Sequence, residues 1–285
     1  MLTVGQVLRN AADRLGAVGV ETARLDARLL VAEVLGLSAS SLVTRQHLEL
    51  SAAETERFEG LLVRRLGREP MSHILGRRGF WTIELVVTAD TLDPRPDTET
   101  LVEAVLAAIP DRGRSLRLLD LGTGTGCILL ALLGELRQAS GLGIDTSAAA
   151  LQVAAGNAEA LGLAARAGFQ RGDWAEGLNE RFDVIVSNPP YIPAAEIDGL
   201  EPEVARFEPR LALDGGADGL DCYRALAPQI ARLLAPGGVV GLEVGAGQAA
   251  AVAVLMEQAG LGLASFFSDL GGIERCVLLR RREET

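Results

Sequence analysis

With 285 residues, 48% of them hydrophobic, the chain has material for two domains, or for one large domain with an extension, and ample apolar side chain for a core. Aromatic residues make up only 4%, so that core must be mostly Leu, Val, Ile and Ala. A formal charge of -11 argues against broad binding to phosphate backbones, which draws on clustered cations. The local group Arg64, Arg65 and Arg68 reads as a solvated helix face. Cys127, Cys222 and Cys276 are far apart, form no C-x-x-C, and have only His47 and His73 beside them, which excludes a metal site of ordinary zinc spacing and indicates reduced thiols. The first ten residues lack the cationic start and apolar run of a signal peptide, and no apolar stretch approaches the roughly 18 residues of a membrane span. A cytoplasmic protein with no membrane partner and no direct nucleic-acid partner is expected.

In chain order, the first seventy residues read as helices. Thr3 with Gln6 resembles a capping box, followed by Val4, Val7, Leu8, Ala11 and Leu15 at helical spacing. A second helix, 21–35, draws its buried face from Leu25, Leu29, Val31, Val34 and Leu35 and stops at Gly36. Ser51 with Glu54 opens a third that ends near Gly67. Pro70 marks a break. Residues 80–88 are strand-like and pair with the residues before them, and Asp93-Pro94-Arg95-Pro96-Asp97 is a stiff linker. Asp97 or Thr98 caps a helix running to about Ile109. From Leu116 onward strand and helix signals alternate: strands at 116–120, 141–145, 168–173, 182–187 and 239–244, helices between them and at 223–234 and 248–260, and two last strands at 263–268 and 275–279. Such alternation means a mostly parallel sheet with helices on both faces. The resulting division is a helical domain at 1–72, a linking hairpin at 73–96 and an α/β domain at 97–285.

Three strand ends in the α/β part carry chemistry. Leu118 to Leu121 enters Gly122-Thr123-Gly124-Thr125-Gly126, a glycine-rich turn opening a helix. Glycines let the backbone approach a ligand closely, although tight strand-to-helix turns also use them for steric reasons alone. Position 127 is cysteine, so the third glycine of the dinucleotide pattern G-x-G-x-x-G is missing. Asp120, just before the loop, suits a cationic amino group. Asp145 ends the next strand, where an acidic side chain takes both ribose hydroxyls of an adenosine. The competing role, helix N-cap, is already offered by Thr146 and Ser147. Asp173-Trp174 ends the third strand, and there the carboxylate can accept from an adenine amino group while the ring packs on the base; Trp174 as core filler is the alternative.

The buried-strand run Phe182 to Ser187 leads straight into Asn188-Pro189-Pro190-Tyr191. Each proline fixes its own φ and keeps the residue before it extended, and the two prolines together remove two N–H donors. Carbonyls and one amide side chain remain, beside an aromatic ring. Such a segment accepts hydrogen bonds from a planar NH2 group, and on its own it fits adenine or an amide equally.

Taken together, these motifs resemble a class I S-adenosylmethionine-dependent methyltransferase, and more closely the release factor glutamine methyltransferase (PrmC/HemK-type) family. The resemblance extends to Ile74-Leu75-Gly76, Pro94-Arg95-Pro96-Asp97-Thr98-Glu99, Cys127-Ile128 after the glycine loop, Ser187 through Pro193, Glu208-Pro209-Arg210-Leu211-Ala212-Leu213 and Asp218-Gly219-Leu220-Asp221. His73 and Gly79 depart from the family pattern, in the region of the hairpin. The resemblance implies an α/β fold, a Rossmann-like class I methyltransferase sheet of seven mostly parallel strands, with an N-terminal helical bundle domain that docks the substrate. It implies that Gly122, Thr123, Gly124, Thr125, Gly126, Asp145, Asp173, Trp174 and Asn188 bind S-adenosyl-L-methionine. It further implies that Asn188, Pro189, Pro190 and Tyr191 hold the substrate, with Asn188, Pro189 and Tyr191 as the catalytic set. The substrate it implies is the glutamine of the Gly-Gly-Gln tripeptide of class 1 peptide-chain release factors, methylated by a monomer. A ribosomal-protein glutamine methyltransferase and an adenine-N6 nucleic-acid methyltransferase are the rival readings, the latter opposed by the acidic balance. An NAD-dependent oxidoreductase fails on glycine spacing.

Overall fold

The computed structural model describes residues 2–281, and the chain falls into two compact units. One comprises the residues through Gly76 together with Glu201–Phe207; the other comprises Arg77–Leu200 and the residues from Glu208 onward. The elements run α1 (Val4–Ala17), α2 (Ala23–Leu35), α3 (Ala52–Leu66), α4 (Met71–Leu75), β1 (Arg77–Phe80), β2 (Ile83–Val86), α5 (Glu99–Ala107), β3 (Arg117–Leu121), α6 (Cys127–Glu135), β4 (Ser140–Asp145) and α7 (Ala148–Ala160). They continue with β5 (Ala167–Arg171), β6 (Phe182–Ser187), α8 (Pro202–Phe207), α9 (Asp221–Leu233), β7 (Leu234–Glu243), α10 (Ala249–Gln258), β8 (Leu261–Ser268) and β9 (Glu274–Arg281).

In the helical unit both expected capping boxes form, Thr3 with Gln6 on α1 and Ser51 with Glu54 on α3, each satisfying otherwise orphaned N–H groups. Gly36, at φ 63°, ends α2 in the left-handed conformation that glycine adopts without penalty. The buried face of α2 keeps Val31 and Val34 of the expected set but not Leu25, Leu29 or Leu35. It is Ala27, Leu30, Val31 and Val34 with Asp26, while Leu25 is half exposed. Two of the three arginines of α3 and its end also depart from a solvated face, while Arg64 is exposed. Arg65 is only 5% exposed and donates to Asp26 at 2.7 Å and to Glu203 of α8 at 2.8 Å, and Arg68 pairs with the same Glu203 at 2.6 Å. Removing one partner of such a buried pair costs about 3–5 kcal/mol. The helical unit runs to Gly76 rather than 72 because α4 continues through Ile74, which is buried in its core, and it takes in α8 from far along the chain.

The hairpin joins the α/β unit instead of standing as a separate linker. Its strands are β1 and β2, with Arg77 opposite Val86, Phe80 opposite Ile83, and a turn at Trp81-Thr82, so residues 80–88 are not one strand. Phe80 and Leu85 enter the same core as α5 and α6. Asn157 of α7 accepts from the Val86 N–H at 2.8 Å and donates to the Val86 and Thr125 carbonyls at 3.1 and 3.0 Å. A 3-10 turn at Pro96–Thr98 precedes α5, and neither Asp97 nor Thr98 caps it with a side chain, contrary to expectation.

The seven-stranded sheet has the order β5-β4-β3-β6-β7-β9-β8, parallel except at β9, which runs antiparallel to both neighbours. Alternate residues of each strand face opposite sides, so Leu118 packs with α5 and α6 while Leu119 packs with α9 and α10. The chain winds outward from β3 through β4 to β5, then returns to β6 on the other side of β3. That reversal is the topological switch point, where open α/β sheets form ligand crevices at the carboxyl ends of their strands.

Candidate active site

Strand register brings the motif residues to one rim. Leu121 lies opposite Ile144 on one side and Ser187 on the other, and Ser187 lies opposite Leu242. The residues that follow, Gly122, Asp145, Asn188 and Glu243, therefore leave four adjacent strands at one level. The glycine loop and the Asn188 segment flank the switch point directly.

The loop after β3 is shaped by its own residues. Gly122, Gly124 and Gly126 all have positive φ (75°, 53° and 81°), a conformation that side chains rarely adopt. A Cβ at Gly126 would press on Leu130 and Ala154, whereas at Gly124 it would meet open space. Thr123 is buried and donates to the Asp120 carboxylate at 2.6 Å. Thr125 is buried too, its carbonyl held by Asn157. Asp145 accepts from the Gly124 N–H and the Ser147 N–H, both at 2.9 Å, while Ser147 caps α7. Asp120 is fully buried, and its second oxygen, Oδ1, makes no hydrogen bond. Burial, and to a smaller degree the Asp145 charge, pushes its carboxyl up to about 7, against the Thr123 hydrogen bond.

Asp173 and Trp174 lie beyond the strand they were expected to end, since β5 stops at Arg171. The Asp173 side chain is exposed. Trp174, at φ 50°, sits partly buried against the core, and its ring edge reaches the position a Gly122 Cβ would crowd at 3.4 Å. The ring therefore serves as core filler and as a wall of the loop at once.

The Asn188 segment, by contrast, is held from many directions. Asn188 Nδ2 donates to Thr98 Oγ1 at 3.3 Å, leaving Oδ1 as its free acceptor. Pro189 is buried and Pro190 half-buried. The Tyr191 carbonyl accepts from Gln248 Nε2 at 2.9 Å, and the Tyr191 hydroxyl donates to Glu243 Oε1 at 3.4 Å. Burial, and next the Glu243 charge, raises the Tyr191 phenol well above its ordinary range, so it stays a donor. Residues 213–221 fold over the segment: the Ile192 N–H donates to the Leu213 carbonyl at 3.0 Å and the Gly215 N–H to the Ile192 carbonyl at 2.9 Å. A Cβ at Gly219 would stand 2.4 Å from the Tyr191 carbonyl oxygen, which accounts for glycine there.

Several of these partners escape sequence reasoning. Thr98 looks like a helix cap, and Gln248 is an ordinary helix start. Glu243 carries the one available signal, a carboxylate inside the apolar run 239–244. Glu208, whose burial its local sequence leaves undecided, is buried, accepting from the Asp93 N–H and pairing with Arg95, both at 3.1 Å. Burial pushes its carboxyl up to about 7, against the Arg95 charge. It joins the two motifs that carried the resemblance. His73 lies on α4, and Gly79 faces open space in β1. Among the described residues no group of three His, Cys, Asp or Glu side chains is placed to hold a metal, and no helix is long and apolar enough to cross a membrane.

Residues 113–259 match the family model described as a methyltransferase domain, and residues 6–76 match the PrmC N-terminal domain. The fold resembles the crystal structure of a ribosomal protein L11 methylase from Lactobacillus delbrueckii subsp. bulgaricus, with a TM-score of 0.50 at 18% identity over 68% of this chain and 82% of that one. Sheet, rim and matched domain define a methyltransferase. The chain is 56% identical to the release factor glutamine methyltransferase of Rhodospirillum rubrum, covering 99% of this chain and 86% of that one. It is 48% identical to that of Caulobacter vibrioides, covering 97% and 96%. It belongs to the release factor glutamine methyltransferase family.

Proposed function

We propose that this protein transfers a methyl group from S-adenosyl-L-methionine to the side-chain amide nitrogen of the glutamine in the Gly-Gly-Gln tripeptide of class 1 release factors, acting as a cytoplasmic monomer. The observation that carries the reading is the free acceptor Asn188 Oδ1, one residue past β6 and level with the glycine loop. An amide nitrogen is a poor nucleophile because its lone pair is delocalised into the carbonyl. Asn188 Oδ1 and the Pro189 carbonyl would each accept one hydrogen of the NH2, favouring a pyramidal nitrogen whose lone pair points away from both. Tyr191 would hold the amide plane. The nitrogen sheds a proton only as its bond to the methyl forms, so positioning and directed hydrogen bonds do most of the work.

The residues of the loop suit the cofactor. Bound there, it supplies an electrophilic methyl on a sulfonium. Asp120, with an unpartnered buried oxygen, offers a charge to its amino group; the open face at Gly124 admits it; Asp145 would take the ribose, and Trp174 with Asp173 the base. On the helical unit, Arg9, Arg24 and Arg28 line one groove with a single carboxylate, Asp13, and none of the three is ion-paired among the described residues. An acidic face of the release factor would dock there.

Incubation with methyl-labelled S-adenosylmethionine and purified release factor, ribosomal protein or oligonucleotide tests the reading. Label should enter the release factor and vanish when its Gly-Gly-Gln glutamine is replaced. Label confined to either other substrate overturns it.

A further inference from the structure

Glu243, the last residue of β7, is 1% exposed and lies beside Asn188, because Leu242 is registered with Ser187. A carboxylate is an unusual tenant of a buried strand end, since taking it out of water is costly without partners. Oε1 receives the Tyr191 hydroxyl at 3.4 Å, while Oε2 is buried and makes no hydrogen bond of ordinary geometry. Thr98, hydrogen-bonded to Asn188 on the neighbouring strand end, lies beside the same carboxylate without a hydrogen bond of ordinary geometry to it, and its hydroxyl favours the charged form. Thr98 Oγ1 is also the atom that receives Asn188 Nδ2.

Proton counting gives this juxtaposition a direction. An ionised carboxylate only accepts, and a hydroxyl has one proton to give. If Thr98 gives its proton to Glu243, its oxygen can only accept from Asn188. Asn188 must then turn its NH2 toward Thr98 and its carbonyl oxygen toward the substrate. The two ends of a carboxamide are nearly identical in shape, so packing alone does not choose between them. With Asn188 turned around, two NH2 groups would face each other and the acceptor would be lost. We propose that Glu243, acting through Thr98, is a positioning residue that fixes the carboxamide of Asn188 with its oxygen toward the substrate NH2. This rests on the function proposed above.

Protonation of Glu243 removes the constraint, because a carboxylic acid can donate to Thr98, which then donates to Asn188 and turns it. Burial holds the Glu243 carboxyl up at about 7, with the Thr98 hydroxyl and the Arg275 charge pulling it down and Asp97 pushing it up. The other groups facing it are Tyr191, Tyr223 of α9, whose hydroxyl donates to the Glu243 backbone carbonyl at 2.7 Å, Cys276 of β9 and Cys127 of α6. Arg275 is held in place by Asp97 at 2.9 Å and Asp269 at 3.0 Å.

The test compares Thr98→Val, Thr98→Ser and Glu243→Gln in the full chain, with release factor and S-adenosylmethionine, following kcat, KM, cofactor affinity and pH. Thr98→Val keeps the shape but removes the hydroxyl, and should lower kcat about tenfold or more with KM and cofactor affinity within a few-fold. Thr98→Ser should restore most of that loss. Wild-type kcat should fall as pH drops below about 7, and Glu243→Gln should be slow and lack that acidic limb. A Thr98→Val enzyme as fast as wild type, a Thr98→Ser as slow as Thr98→Val, or an acidic limb that survives in Glu243→Gln overturns the inference. Should Glu243→Gln fail to fold, the Thr98 pair still decides. A wild-type protein that labels no release factor fails the functional reading instead, which keeps the two failures distinct.

Discussion

The loop after β3 and the segment after β6 leave neighbouring strands at the same level but are built on opposite principles. The loop is nearly self-sufficient: its glycines turn it, Thr123 ties it to Asp120 three residues back, and Asp145 on the adjacent strand accepts from Gly124. The Asn188 segment owns only its stiffness. Thr98, Gly219, Glu243 and Gln248, spread over some 150 residues of chain, supply its hydrogen bonds and its clearance. A loop built from local contacts is thus set beside a segment whose atoms are fixed by long-range contacts. Changes in the first should show mainly as cofactor affinity, and changes in the second as turnover.

The sharpest split is expected at Asn188. Asn188→Ala removes one of two acceptors, and turnover should drop by about a hundredfold or more while cofactor binding stays within a few-fold. Single-turnover rates alongside calorimetric cofactor titration check this; near-normal turnover would falsify the role.

Gly219→Ala comes next and reaches the segment from outside it. The new Cβ would lie 2.4 Å from the Tyr191 carbonyl oxygen, at a φ of 77° that alanine resists. The segment must shift, and displacements of about 1 Å can cost on the order of a hundredfold in rate. A loss of about ten- to a hundredfold in turnover is expected, with cofactor affinity again unaffected. If cofactor affinity falls in step with turnover, the two regions are not separable in the way described.

The same contrast sets how much was legible beforehand. The strand Phe182–Ser187 was read to the residue, and most other sheet strands within a few residues, because apolar runs between turn residues are local signals. The glycine loop and Asp145 could be placed for the same reason. Beyond reach were features made by residues distant in sequence. Thr98 was read as a cap because its local context is a helix start, yet its hydroxyl is engaged by Asn188. Arg65 looked solvated because Glu203, its partner, lies 138 positions away. The expected strand 168–173 overran by two residues: Gly172 and Asp173 are disfavoured in strands, and although the Gly172 N–H still donates to the Asp145 carbonyl at 3.1 Å, β5 ends at Arg171.

On the loop side, Asp120→Asn should act on affinity and on pH-dependent stability. The Asp120 carboxyl is raised from 3.8 to about 7 in the folded protein, so the folded state binds its proton more tightly than the unfolded one. The stability this proton contributes is complete below about pH 4 and is lost as pH rises through about 7. Asparagine is neutral throughout. Cofactor-free Asp120→Asn should therefore melt about 10 °C above wild type at pH 8, with the gap closing toward pH 4. Its affinity for S-adenosylmethionine should weaken about tenfold for want of a charge opposite the amino group. Thermal melts across pH check the first effect, and a gap that widens toward acid would mean that Asp120 is ionised and stabilised in the folded chain.

The smallest effect on catalysis should come from Asn157, although its effect on folding is plain. Its side chain accepts from the Val86 N–H and donates to the Val86 and Thr125 carbonyls, joining the hairpin to α7 and to the base of the loop. With alanine there, the partly buried Val86 N–H and carbonyl and the buried Thr125 carbonyl lose their partner, at about 1 kcal/mol for each group left unsatisfied. The loop is fixed mainly by its own glycines and by Asp120, so Thr125 should stay within reach of its present position. Asn157→Ala should lower the denaturation midpoint by several degrees and leave cofactor affinity and turnover within about twofold at 20 °C. A large loss of affinity without loss of stability would mean that the loop depends on the hairpin, and that it is less self-sufficient than its own hydrogen bonds imply.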